Sequence, residues 1–432
     1  VRIFAATTTR LGVVLVASAA ILPRLVVLLV ERGNILTAFT EKSDDFAQTF
    51  VASGTFGFVP GIPSADTQPL YAWFLIPLYW IFGRHWLVVG LAQIAVAACT
   101  ALLVYAVALR VVPRLAVLAA VVATLNPYLI WHDVHVNREI VDQLVLAGLV
   151  LCVLVAVARR SLWLWVASGA LCGVAILGNS RLVAFPLVLA AYAAWQAPGR
   201  RLLAAVAVVA VAGVVVLPYV VRNQVQVGCF TLTTDGRALW KANNLNTYRV
   251  LANGGWIDDV PPLAGAPQYT PEYEWDFWHN DHKIVHVDEC AQMHLYEHAT
   301  FRFWRDHPGA KAKLMVQAVS LLWDPRSHET QTRSGKGTWR DTVRRVVEPV
   351  YVIPLYILAL LGLFVAPRAF AVLAALLLAY NTAAAMLFAG TTRYRVPYDF
   401  VLVLLAACAV EWLWRRRRYT RSTPAAAPSA EN

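Results

Sequence analysis

The sequence predicts an all-α polytopic membrane protein: a bundle of about ten transmembrane helices, with helices lying along its outer face and a small domain outside the membrane. Three observations carry this. Of 432 residues, 59% are hydrophobic and 15% charged, whereas a soluble domain has about 45–50% and about 25%. The apolar residues gather in stretches of spanning length, such as 85–109, 201–220 and 369–389, instead of amphipathic stripes. Basic residues, finally, fall on alternate connections between those stretches.

The predicted spans are 9–28, 85–109, 114–131, 137–158, 161–178, 182–197, 202–220, 349–366, 369–389 and 397–414. Arg2 and Arg10 precede the first apolar run, but no small-residue cleavage site follows, so the run reads as a span and not a signal peptide. Connections carrying Arg110 and Arg114, Arg159 and Arg160, Arg200 and Arg201, and Arg368 hold no acidic residue, and the tail opens with Arg415 to Arg418. Short cytoplasmic loops hold the Lys/Arg excess, so these connections and both termini are expected in the cytoplasm of a cell (inner) membrane protein. Segments 31–68, 131–139 and 222–347 hold nearly all the Asp and Glu and are expected outside. The run 69–82, PLYAWFLIPLYWIF, reaches only about 21 Å as a helix against a core of about 30 Å. It reads as an interfacial helix, with Trp73, Tyr79 and Trp80 at headgroup depth.

This divides the chain into an N-terminal membrane module, 1–221, containing the first outer loop 31–84; an extracytoplasmic domain, 222–347; a C-terminal membrane module, 348–414; and a basic, disordered tail, 415–432. A net charge of +11 raises the question of nucleic acid, but the surplus sits in arginine pairs between apolar stretches, where it orients helices; a nucleic-acid partner is rejected. Within 222–347, prolines at 261, 262, 267 and 271 mark loops, and helical patterns follow at 287–304 and 309–323. Cys99, Cys152, Cys172 and Cys408 lie in spans as small apolar residues, while Cys229 and Cys290 share the outer domain and can form a disulfide.

Ionisable groups near the outer surface are the candidates for chemistry, because charge at membrane depth is costly. Asp44 and Asp45 head the first outer loop, where a carboxylate serves either as general base toward a hydroxyl or as the cap of a short helix begun at Ser43 or Asp44. The second loop, WHDVHVNREIVDQL, places Asp133, Glu139 and Asp142 at the mouth of the fourth span; His132 and His135 beside them read as interface polarity. Arg24, Arg181, Arg222, Arg393 and Arg395 lie on the outer side, where cytoplasmic anchoring cannot explain them; such arginines either snorkel to headgroups or bind phosphate bidentately. His279, His282 and His286, with Asp281 and Asp288, and the pair His294 and His298 match no metal motif and read as solvated surface.

Taken in order, these motifs resemble the GT-C superfamily of integral membrane glycosyltransferases, in particular the bacterial branch related to protein mannosyltransferases and aminoarabinose transferases. SDD at 43–45 looks like the family's first-loop acidic motif, and SADTQPLYAWFLIPLYWIFG at 64–83 is similar to its proline-tyrosine juxtamembrane helix. LPYVVRNQVQVGCFTLTTDGRALWKANN at 217–244, DHPGAKAKLMVQAVSLLW and RYRVPYDFVLVLLAA continue the series. One departure is Gln48, where the family often has an aromatic; Phe46 and Phe50 flank it. The resemblance implies a GT-C-like bundle and inverting transfer of a sugar from a polyprenyl-phosphate donor to a glycan, lipid or protein acceptor at the outer face. On that reading Asp44 leads and Asp45 rivals it as general base, while Asp133, Glu139 and Asp142 orient the acceptor or hold a divalent cation. Arg222, Arg393, Arg395 and Arg181 would then meet the donor phosphate. A lipid-linked sugar flippase and a noncatalytic GT-C-like subunit are the competing expectations.

Overall fold

A computed structural model of the chain describes residues 2–37, 40–266, 287–327 and 343–422. Among these, every regular element is a helix, apart from an isolated antiparallel bridge between Val59 and Ile62. His279, Asp281, His282 and His286 and the tail after 422 lie outside the described residues.

In chain order the helices are α1 (Arg2–Val30), α2 (Lys42–Ser53), α3 (Pro69–Phe82), α4 (Trp86–Val111), α5 (Ala116–Thr124), α6 (Pro127–His132), α7 (Glu139–Arg159), α8 (Leu162–Gly178), α9 (Phe185–Gln196) and α10 (Arg201–Gln226). After them come α11 (Gly236–Lys241), α12 (Thr247–Ala252), α13 (Glu289–Asp306), α14 (Pro308–Leu322), α15 (Glu348–Val365), α16 (Arg368–Leu387), α17 (Thr392–Arg395) and α18 (Asp399–Ser422). Among the described residues, seven helices are long and apolar enough to cross a membrane, beginning in α1, α4, α7, α10, just before α15, α16 and α17. They coincide with seven of the predicted spans.

The other three predicted spans are helical but shorter. Predicted span 114–131 breaks into α5 and α6 because Pro127 holds Asn126 extended (φ −55°, ψ 121°), and the Asn126 side chain then accepts from the Tyr128 N–H to start α6. Span 182–197 loses its first turn to a 3₁₀ turn, Ser180–Leu182, so α9 has 12 residues, while α8 has 17. The interfacial run forms α3 with the 14 residues expected, ended by Gly83 at φ 71°.

Packing follows from small residues where helices cross. A Cβ added at Gly169 or Gly173 would fall 2.8 Å from the carbonyl oxygen of Val208 or Ala212, so α8 and α10 meet backbone to backbone. The segment after α10 is tied to the start of α13 by the disulfide Cys229–Cys290, with Cα atoms 5.8 Å apart. The two outer helical patterns are α13 and α14.

Arg24 follows Pro23 inside α1 and is 1% exposed; Asp133, at 2%, accepts from its Nε at 2.9 Å and Nη2 at 2.7 Å. The remaining guanidinium N–H groups reach Ala20 O and both oxygens of Thr124, so the group binds α1, the end of α5 and the loop after α6 together. A buried pair loses far more when one partner is removed than when both become apolar. Asp133→Ala is therefore expected to destabilise by about 3–5 kcal/mol, and Arg24→Leu with Asp133→Leu by clearly less, as read by thermal unfolding in detergent. Equal losses in the two variants would show that charge compensation is not what this pair supplies.

Candidate active site

At the end of the bundle that carries the acidic loops, a cavity of about 400 Å³ opens between α2, the 66–68 segment, the start of α7, the 179–181 turn, α11 and residues 388–394. Five acidic side chains line it, Glu41, Asp45, Asp66, Asp235 and Asp258, against five cationic ones, Lys42, Arg138, Arg181, Arg237 and Arg393. Such a balance suits a ligand that needs both a base and an anion site, and not a simple anion trap.

The two neighbouring aspartates of the first loop part company. Helix α2 starts with Lys42, one residue ahead of the expected Ser43, so Asp44 is not its cap; it lies in the first turn, 1% exposed. Its carboxylate accepts from Arg84 Nη2 at 2.6 Å and Nε at 3.1 Å and from the Tyr79 hydroxyl at 2.6 Å. Burial and then the Asp44 charge push the Tyr79 phenol up, so it stays protonated and donates. Asp44 thus joins α2 to the end of α3, and it is Asp45 that lines the cavity. Of the two, Asp44 is engaged by Arg84 and Tyr79, and Asp45 lines the cavity.

The arginines divide in the same way. Arg393 donates from Nε to Glu139 Oε1 at 2.6 Å and contacts Glu41, joining α17 to α7 and to the residue before α2. Arg181 stands 3.4 Å from the Tyr394 ring centroid and donates to Ala389 O at 3.2 Å. Burial pushes its guanidinium down, and the charge of nearby Arg138 adds to this. Arg138 itself donates to Gln68, whose amide donates to Ser180 Oγ at 2.8 Å.

Arg222 and Arg395 do not line the cavity. Arg222 spends its donors on the carbonyls of Ser64 and Phe56, both at 2.7 Å, which holds the 56–64 loop to α10. Arg395 is buried against Asp399 at 3.0 Å, Asp324 O at 2.8 Å and the Tyr356 hydroxyl at 2.6 Å. Asp133 is likewise taken by Arg24. Glu139 acts through Arg393, and Asp142 sits behind the cavity wall, 3.4 Å from Asn179 Nδ2. A Cβ on Gly178 would come within 2.4 Å of Asp142 Oδ1, so a glycine there is what lets this carboxylate fit.

Sequence reasoning missed the part of the wall built on Lys42, Asp66 and Asp235. Lys42 Nζ lies 2.7 Å from Asp66 Oδ2 and 3.4 Å from Asp235 Oδ2. Glu289 holds this wall in place: its Oε2 accepts from Ala65 N at 3.0 Å and from Thr234 Oγ1 at 2.7 Å, and Thr234 N donates to Ala65 O at 3.0 Å. A divalent cation fits poorly here, because the two carboxylates best placed to share one already share an ammonium. Among the described residues no three His, Cys, Asp or Glu side chains converge as a metal site. His294 pairs with Glu297 at the surface, as its solvated reading requires.

Beside the polar cavity lies a second one of about 730 Å³, lined by Tyr248, Leu251, Val316, Leu321 and Gly390 among others, and Trp256 lines both.

Burial alone would raise the Asp235 carboxyl, but Lys42, the Ala238 N–H and Arg237 bring it below the ordinary carboxylate value. A group depressed in the folded state contributes stability above its unfolded value, about 3.9, and loses it as pH falls through the lower folded value. Acid unfolding of the wild type is therefore expected to steepen below about pH 4, and Asp235→Asn to flatten that limb. Superimposable acid profiles would mean that the fold does not hold Asp235 ionised.

Residues 66–223 match the family model described as dolichyl-phosphate-mannose-protein mannosyltransferase. Comparison with curated proteins finds no match. Among solved structures, the chain is similar to the archaeal oligosaccharyltransferase AglB from Archaeoglobus fulgidus, in complex with an inhibitory peptide and a dolichol-phosphate. That likeness has 13% identity and a TM-score of 0.49, over 98% of this chain and 53% of that one. It is also similar to ArnT from Cupriavidus metallidurans bound to undecaprenyl phosphate, at 17% identity and a TM-score of 0.41, over 93% of this chain and 78% of that one. The chain thus spans about half the length of the oligosaccharyltransferase. The matched family segment takes in α3, Arg138 and Arg181 but begins after Asp45. Over residues 66–223, then, the chain carries the pattern of the dolichyl-phosphate-mannose-protein mannosyltransferases, and its resemblance to the GT-C membrane glycosyltransferases is borne out there.

Proposed function

We propose that the protein transfers a sugar from a polyprenyl-phosphate donor to an acceptor hydroxyl in this cavity. The observation that carries the reading is the meeting, in one cavity, of an aspartate with three arginines, Asp45 with Arg138, Arg181 and Arg393, beside an apolar cavity shared at Trp256. The family match over 66–223 supports it independently.

Asp45 takes the proton of the acceptor hydroxyl as its oxygen bonds to the anomeric carbon. The bond from that carbon to the phosphate oxygen breaks, and its electron pair leaves with polyprenyl phosphate. Arg181 and Arg393 meet the charge that grows on the phosphate, with Arg138 beside them, because preorganised positive charge in a dry site acts on the transition state without reorganising. Glu139 and Glu41 orient Arg393; Asp142 supports the wall through Asn179. Attack opposite the leaving group inverts the anomeric centre. The apolar cavity suits the hydrocarbon of a lipid substrate.

On this reading the cavity faces the extracytoplasmic side, since the arginine pairs gather at the other end of the helices. Residues 233–258 then belong to its outer wall, with 1–221 and 348–414 as the membrane modules.

The test is release of polyprenyl phosphate by the purified protein in proteoliposomes supplied with a panel of polyprenyl-phosphate sugars and lipid extract. Asp45→Asn is expected to lower release by about 10²–10⁴-fold with folding intact, whereas Asp44→Asn lowers thermal stability. Wild-type rates in Asp45→Asn would remove the base; donor binding without release in any condition would replace transfer by flipping or by a noncatalytic role. Retention of the donor anomer in the product would overturn inversion.

A further inference from the structure

The cavity has a cation of its own. Lys42 is the first residue of α2, and its Nζ lies between Asp66 Oδ2 at 2.7 Å and Asp235 Oδ2 at 3.4 Å. The two carboxylates come from separate segments, yet their backbones are fastened to each other before any ligand arrives. Thr233 Oγ1 donates to Asp66 O at 3.1 Å, Thr234 N to Ala65 O at 3.0 Å, and Glu289 grips both segments of this joint from α13. Asp235 is further fixed by capping α11, its Oδ1 accepting from Ala238 N at 3.1 Å.

Two preset carboxylate oxygens facing one point are the usual beginning of a divalent-cation site. Here that point is occupied by an ammonium, a compact, strongly hydrated point charge on a flexible stem. Asp45 follows Lys42 by three residues on α2, which puts both on one helix face, and both line the cavity.

We propose that the Lys42 ammonium is a tethered replacement for a divalent cation: it holds Asp66 and Asp235 and supplies the fixed positive charge of that wall, so that sugar transfer needs no metal. This rests on reading the cavity as a sugar-transfer site. Its physical core, which cation the two carboxylates hold, is measurable without turnover.

The experiment uses the full chain in nanodiscs, with Mn²⁺ as the probe and the free-ion paramagnetic resonance signal as the readout. Wild type is expected to leave that signal unchanged. Lys42→Met is expected to take up about one Mn²⁺ per chain, and Lys42→Met with Asp235→Asn to lose it again. In parallel, chelation by EDTA is expected to leave wild-type release of polyprenyl phosphate unchanged, while Lys42→Met lowers it about a hundredfold, Mn²⁺ restores part of the loss and Lys42→Arg keeps most of the rate.

Stoichiometric Mn²⁺ uptake by wild type that is lost on Asp66→Asn, or loss of wild-type turnover in EDTA, overturns the proposal. So does a folded Lys42→Met variant that takes up no Mn²⁺. Should Lys42→Met fail to fold, Lys42→Gln takes its place, and the wild-type arms decide without any variant. Absence of release under every condition would instead sink the sugar-transfer reading, leaving the Mn²⁺ comparison to decide what the carboxylates hold.

Discussion

The link from Arg393 to Glu139 and Glu41 is the contact on which the cavity depends. Arg393 and Glu139 lie 254 positions apart and Glu41 precedes α2, so one guanidinium gathers three distant parts of the chain. The Arg393 side chain is only 14% exposed, so its charge must be met by another charge, wherever in the sequence that charge lies. The short helix α17 meets this demand on two sides. Arg393 points to the cavity wall, while Arg395 turns the other way to Asp399, Tyr356 and the carbonyl of Asp324. One turn of helix is thereby both a lining element and a brace between the C-terminal helices and the rest.

Much of the fold was legible because a membrane imposes a length. Apolar runs matched the helices, and the run 69–82 forms a helix of the 14 residues its length implied. The break at Asn126 and Pro127 was legible too, as a residue before proline, but the apolar run continuing through it hid the signal. The site was harder. Asp44 and Asp45 are neighbours, and which one faces the cavity is set by helix phase and by Arg84, 40 residues away. Nothing local to SDD carries that information.

The arginines pose the same difficulty in another form. Arg181, Arg222, Arg393 and Arg395 look alike in sequence, each near the outer end of an apolar run. What separates them is the acceptor each finds: loop carbonyls for Arg222, a carboxylate four residues on for Arg395, an aromatic face and a cavity for Arg181. Lys42, Asp66 and Asp235 gave no pattern at all, since their pairing spans 24 and 193 positions.

A base and an anion site placed in one small cavity neutralise each other unless something prevents it, because an aspartate beside an unengaged arginine becomes an ion pair and loses its basicity. This fold counters that with pairings made in advance. Glu139 and Glu41 occupy Arg393, and Lys42 is shared between Asp66 and Asp235. Asp44 is occupied by Arg84. The equal numbers of acidic and cationic groups around the cavity therefore do not amount to a neutral surface. Groups fixed in pairs in this way need little reorganisation when a charged ligand enters, which is the condition for preorganised electrostatics.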